Sequence, residues 1–135
     1  MEVRRMREIK FRAWDDVKDR LLYLGEEDDI VFEFGGSGIV ATDITEDEPN
    51  FKTLYHLIYL QYTGLKDKSE AGQEIWEGDI RKDALGRIFK VVYDNDLAAF
   101  YGEYTNGHYE SLGDCGADSE FLGTVYQNPE LFESK

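Results

Sequence analysis

From Glu8 to Trp14 the chain alternates, with Ile9, Phe11 and Ala13 on one side and Lys10, Arg12 and Trp14 on the other. A period of two predicts a strand, because successive side chains on an extended backbone point to opposite faces. Leu21 to Leu24 is a second short apolar run, and the polar "DDVKD" between the two predicts a turn. Further on, "IVFEF" and "GIVAT" flank Gly35-Gly36-Ser37. Paired glycines supply the positive φ of a tight connection, so this stretch predicts a hairpin. Leu54 to Tyr62, "LYHLIYLQY", is rich in aromatic and branched residues and predicts a strand over most of its length, ending at Thr63-Gly64. Arg87 to Tyr93 alternates before a turn at "DND", and Glu120 to Tyr126 predicts a last strand. The closing "NPELF" predicts a short helical turn, with Asn128 as its cap, Pro129 at the first helical position and Glu130 complementing the dipole.

The sharpest local signal is Asn106-Gly107 between two aromatic segments. Asn-Gly suits a type I′ turn, in which both central residues need φ > 0. A two-residue loop there sets Thr105 opposite His108, Tyr104 opposite Tyr109 and Glu103 opposite Glu110. Phe100, Tyr104 and Tyr109 would then share one face.

Composition limits what these strands can build. The chain has 135 residues, 41% hydrophobic and 14% aromatic, which suits one core-bearing domain. Its apolar runs are too short for a membrane helix, and the start, MEVRRMREIKFRAW, lacks the apolar stretch of a secretory leader. A single cysteine, Cys115, excludes an internal disulfide framework and a cysteine-rich zinc site. A cytoplasmic protein without a membrane partner is the expectation.

Charge is unevenly spread around a net −14. Leu24 to Asn50 holds nine acids and no Lys or Arg, and Val91 to Lys135 holds nine acids with Lys135 as its one base. Such surfaces repel a phosphate backbone. Arg4, Arg5, Arg7, Lys10 and Arg12 form the one dense basic cluster. Direct binding to DNA or RNA is therefore not expected.

The stretch "QYTGLKDKSEAGQEIWEGDIRK" leaves a strand at Thr63-Gly64, crosses a polar loop and starts a new strand pair around Gly78-Asp79. Gly78 frees the backbone for a tight turn, and Asp79 can bond neighbouring amides. Ile75 and Trp76 offer core or rim surface. Together, "MREIKFRAWD", "QYTGLKDK", "EIWEGDI" and "LGTVYQNPELF" resemble the YopX family of phage and prophage proteins, in order and spacing from Met6 to Phe132. Trp76 stands where that family usually has Tyr, and the loop before it is longer. The resemblance implies one mainly β domain over residues 6–135, with 1–5 as an extension ahead of it and a variable acidic segment over 26–51. Its fold would be a small antiparallel, barrel-like domain, SH3-like or related, with extra hairpins and a short C-terminal helical turn. Gln61, Tyr62, Thr63, Gly64, Leu65, Glu77, Gly78, Asp79, Asn128 and Pro129 carry the resemblance, and the expectation is that they determine the fold.

No catalytic, cofactor or metal set emerges. His56 and His108 lie in different segments, and no metal-ligand spacing joins them to Cys115. "LGDCGADSEF" clusters Asp114, Asp118 and Glu120, but their order does not fit a calcium loop, so a flexible acidic turn is expected. "FEFGGSGIV" lacks the Lys-Ser/Thr and the helix of a phosphate loop. Tyr93, Phe100, Tyr101, Tyr104 and Tyr109 could form a stacking platform for single strands, but bases are missing nearby, and core or subunit contacts are the expected role. What remains is a non-enzymatic accessory protein meeting an unknown host or phage protein, with self-association expected from exposed strand edges. A nucleic-acid-binding barrel and a metal-dependent hydrolase are the alternatives.

Overall fold

The computed structural model describes residues 8–133. Basic residues Arg4, Arg5 and Arg7, the 1–5 extension and the last two residues lie outside this range. The chain is mainly β, as the pattern predicts, with a sheet curled as half a barrel and a short helical turn near its end. Contacts divide it into two compact units, one of Lys10–Leu60 and the other built on the described residues from Gln61 onward.

In the first unit, β1 (Phe11–Asp15) and β2 (Arg20–Tyr23) form an antiparallel hairpin across the polar turn. Asp19 adopts φ 52° in that turn. The alternation of the first strand suggests one covered face, yet Arg12, Ala13, Trp14 and Asp15 are all buried, so both faces are covered. A three-stranded sheet follows, β3 (Ile30–Gly35), β4 (Gly38–Asp43) and β5 (Lys52–Leu54) in that order. Gly35 pairs with Gly38, which places the predicted hairpin loop at Gly36-Ser37. Ala13, Leu22, Ile30, Ala41 and Leu57 form the core of this unit, with Leu24, Phe32, Leu54 and Tyr59 against it.

The predicted strand over Leu54–Tyr62 is broken at Tyr55–Leu57 and resumes as β6 (Ile58–Lys66), which carries the chain into the second unit. It does not end at Thr63-Gly64. Instead Gly64 takes φ 85° and the register to β7 (Glu74–Trp76) shifts between Tyr62 and Lys66. Thr63, Gly64 and Leu65 stand opposite Ile75 alone, a bulge of two added residues in which glycine takes the left-handed position at no steric cost. Strand β8 (Asp79–Lys82) lies inside a five-stranded antiparallel sheet. The others are β9 (Ile88–Asp94), β10 (Ala99–Tyr104), β11 (Tyr109–Ser111) and β12 (Glu120–Thr124), in the order β11-β10-β9-β8-β12. The core of this unit is Ile75, Phe89, Val91, Tyr104, Leu112 and Cys115, with Phe100 packed on it.

Three local expectations are corrected here. In the Asn106-Gly107 hairpin Glu103 pairs with Tyr109 and Gly102 with Glu110. The Gly107 amide donates to Tyr104 O at 2.9 Å, the Tyr104 amide to His108 O at 2.8 Å, and of the two turn residues Gly107 alone has positive φ. The loop is therefore three residues long, with Gly107 left-handed at its end, and Asn106 Oδ1 accepts the His108 amide at 3.0 Å. A one-residue slip moves side chains to the opposite face. Tyr104 and Phe100 point to the core, while Tyr109 stands outside beside Tyr101. Second, "LGDCGAD" is no flexible turn: α1 (Leu112–Cys115) is a helical turn that buries Leu112 and Cys115. Third, Pro129–Phe132 forms the predicted turn as a 3₁₀ helix, but Asn128 does not cap it through its side chain. Its Oδ1 accepts the Thr124 amide at 3.3 Å instead.

Candidate functional site

The family-like stretch folds around one buried cation. The Arg81 side chain is fully buried on β8, where its neighbours Asp79 and Ile80 are buried as well. Its Nη2 donates to Asp67 Oδ2 at 2.5 Å and to the Ser119 carbonyl at 3.2 Å, and its Nε donates to Ser119 Oγ at 2.6 Å. Asp79 Oδ2 lies 4.0 Å from Nη1. Asp67 also ties its own loop: Oδ1 accepts the Ser69 amide, the Ser69 hydroxyl and the Gln73 amide. Burial alone would raise this carboxyl. The Ser69 hydroxyl and amide, then Arg81 and Gln73, outweigh burial and hold it below its ordinary value. The longer loop after Lys66 thus closes on an ionised aspartate.

The sequence-derived residues make local contacts, and Asp79 is the one of them beside Arg81. Gln61 donates its amide to Glu77 Oε1 at 3.1 Å, and Tyr62 packs on Trp76 with ring centroids 5.4 Å apart. Thr63 Oγ1 donates to the Ile75 carbonyl at 2.6 Å and accepts the Leu65 amide. Gly78 has φ 90°, donates to Val91 O and accepts from Val125 N, both at 2.9 Å. Asp79 Oδ2 accepts the Trp76 amide at 2.8 Å. Leu65 is exposed, and Pro129 opens the 3₁₀ turn. Sequence reasoning missed Asp67, Arg81 and Ser119. A signal existed: Arg81 directly follows the apolar Ile80 in a strand-forming run, where a charge has to find a counter-ion.

Two further polar clusters can be weighed chemically. In the first unit Asp15, Asp16 and His56 bring one ligand atom each within 4.8 Å of one another. Asp15 Oδ1 already accepts the Val17 and Lys18 amides and His56 Nε2 at 2.8 Å, and Arg20 Nε lies 3.4 Å from Oδ2. Burial would raise the Asp15 carboxyl, but the His56 contact and then the turn amides lower it, so it is ionised and His56 Nε2 carries the proton. A cation there would replace the His56–Asp15 hydrogen bond and face Arg20, so the donor set suits a turn clamp. In the second unit the Tyr104 hydroxyl donates to Asp83 Oδ2 at 2.9 Å, with Glu110 Oε2 at 3.2 Å. Burial first and the Asp83 contact second push this phenol far above its usual range, and burial pushes the Cys115 thiol up to about 11. A buried, neutral thiol is a poor nucleophile. An open cleft of about 330 Å³ is lined by Gln61, Thr63, Tyr93 and Phe100 among others, and none of its lining residues is charged.

Of the basic cluster, Lys10 and Arg12 lie among the described residues. Arg12 is buried, with its Nη1 3.4 Å from the Tyr23 hydroxyl. Among the described residues no helix is long and apolar enough to cross a membrane.

A mainly β chain with the buried Arg81 held by Asp67 and Ser119 belongs among small antiparallel domains, and comparison with known proteins puts a family to it. The family model described as YopX protein matches residues 10–133, and the chain belongs to that family. Among solved structures it is similar to the crystal structure of protein EF1440 from Enterococcus faecalis, with a TM-score of 0.59 and 24% identity over 93% of this chain and 99% of that one. That likeness is one of fold. No curated protein matches.

Proposed function

We propose that the chain acts through protein–protein contact, by the acidic β3-β4-β5 sheet of its first unit, and performs no catalytic step of its own. The observation that carries this reading is the outer face of that sheet. Val31 and Val40 are 41% and 48% exposed, they flank Glu33, and no Lys or Arg occurs between Leu24 and Asn50. Apolar side chains beside a mostly acidic stretch, with Lys52 of β5 as the basic residue of the sheet, fit a partner of the opposite sign. The carboxylates and His56 of the polar clusters, by contrast, are spent on holding turns. The same reading sets the chain in the cytoplasm of a bacterial host, as an accessory protein of a phage or prophage, because the family is one of mobile elements.

The test is crosslinking in host cells followed by identification of what is captured. A basic protein recovered in stoichiometric amount is expected, lost on Val40→Asp and retained on Leu97→Asp, which alters an exposed residue of the second unit. Recovered nucleic acid, or capture indifferent to Val40→Asp, would overturn the reading.

A further inference from the structure

The outer edge of β3 is built to accept another strand. The Ile44 amide donates to Asp29 O at 2.9 Å, so the Asp29/Ile44 pair is hydrogen-bonded. Hydrogen-bonded and non-bonded pairs alternate along an antiparallel ladder. With Ile30 opposite Asp43 and Gly35 opposite Gly38, the parity assigns the inward amides and carbonyls to Val31, Glu33 and Gly35. Ile30, Phe32 and Phe34 therefore turn theirs away from β4. Strand β3 ends its sheet, so among the described residues these groups meet no further strand.

Natural sheets blunt such edges with proline, lysine, bulges or brevity. β5 is three residues long and begins with Lys52, β11 is three residues long, and β12 shifts register between Phe121 and Gly123. β3 runs six residues in unbroken register, without proline or lysine. At its end Phe34 stands 65% exposed, its ring 6.0 Å from that of Phe11. Glu26, Glu27, Asp28 and Asp29 lead into the strand and Glu33 lies within it. Those carboxylates disfavour a second copy, which would bring the same charge, and favour a cationic occupant.

We infer that the β3 edge binds an extended, lysine- or arginine-bearing segment of a partner protein as an added strand, bonded to the backbone of Phe32 and Phe34, since Ile30 is buried in the core. This rests on the protein-contact reading above and specifies its geometry. Main-chain bonds supply the affinity in such additions and side-chain contacts the selectivity.

The probe is a synthetic peptide of alternating lysine and valine, titrated into the full chain and followed by amide exchange and nuclear magnetic resonance. The expected result is protection of the Phe32 and Phe34 amides, weakening as salt rises and absent with an alternating glutamate and valine peptide. Phe34→Pro removes an outward amide without touching the β4 ladder and should weaken binding about tenfold. N-methylating the edge-facing amides of the peptide should do the same with the protein unaltered. Equal binding of the glutamate peptide, indifference to N-methylation, or the same protection arising from concentration-dependent dimers in sedimentation would overturn the inference. Shifts confined to Val31, Val40 and Thr53 would also overturn the edge geometry while leaving the contact reading standing. That reading fails on its own test, the Val40→Asp capture.

Discussion

In each unit a buried aspartate ties a turn, Asp15 in the first and Asp67 in the second, and the two differ in their cations. Asp67 meets Arg81, whose side chain is fully buried. Asp15 meets His56 and Arg20, whose side chains are 33% and 34% exposed. A charge shut away from water depends entirely on its partner, whereas one at the surface can fall back on solvent. The second unit is thus locked around its ion pair, and the first keeps its polar clamp wet and its β-sheet edge open.

The largest expected effect breaks the dry pair. Asp67→Ala leaves the Arg81 guanidinium buried without its carboxylate and should cost about 3–5 kcal/mol in chemical denaturation. A loss below about 1 kcal/mol would show that water reaches Arg81 and would erase the contrast. Next, Gly102→Ala tests how tightly the second unit is packed. Its Cβ would fall 2.8 Å from both Cys115 Sγ and Phe89 Cδ2, and overpacking of this kind costs about 1–3 kcal/mol. Thermal melting of the variant reads this directly.

His56→Ala in the first unit should cost only about 1 kcal/mol, because Asp15 keeps its two turn amides and Arg20. Both aspartates have lowered folded values, so their contributions are present above the ordinary carboxylate pKa of about 4 and are lost as pH falls through the folded values. A denaturation series from neutral to acid pH should steepen below that point, and Asp67→Ala should flatten it more than His56→Ala.

At the alkaline end the sign reverses. The Cys115 thiol is raised to about 11 and the Tyr104 phenol is raised as well, so their contribution is whole below the unfolded values and is lost as pH climbs through the folded ones. Thiol labelling at mildly alkaline pH should be slow in the folded chain and should track unfolding in urea. Rapid labelling without urea would mean that this core opens locally. The smallest effect is expected of Glu110→Gln. Glu110 faces Gly102 rather than Glu103, so no like-charged pair is opposed across the strands, and Gln keeps an oxygen for the Tyr104 hydroxyl; stability should change by less than about 0.5 kcal/mol.

Much of the fold was legible because short-range physics decides it. Alternation marks the strands, Gly35-Gly36-Ser37 marks a hairpin, and Gly78 marks a turn that needs positive φ. The candidate site was half legible. The family-like residues were found and given structural roles, but Leu65 remains exposed, and the ionic centre they surround went unnoticed. Asp67 and Arg81 stand fourteen residues apart, and no local pattern links them.

By itself the sequence determined the mainly β class, most strand positions and the acidic character of the first unit, since each follows from neighbours within a few residues. Tertiary structure decided the rest. Type I′ chemistry at Asn106-Gly107 lost to a three-residue loop that slips β11 by one residue, so Tyr104 lies in the core beside Phe89 while Tyr109 turns out beside Tyr101. Gly64 became a bulge, not a strand end, as β6 stayed paired with β7 on both sides of it. Arg81 is buried because Asp67 and Ser119 arrive from separate segments and join Asp79 of its own strand. The free edge of β3 likewise follows from which strands pair, a choice made by packing over long sequence separations.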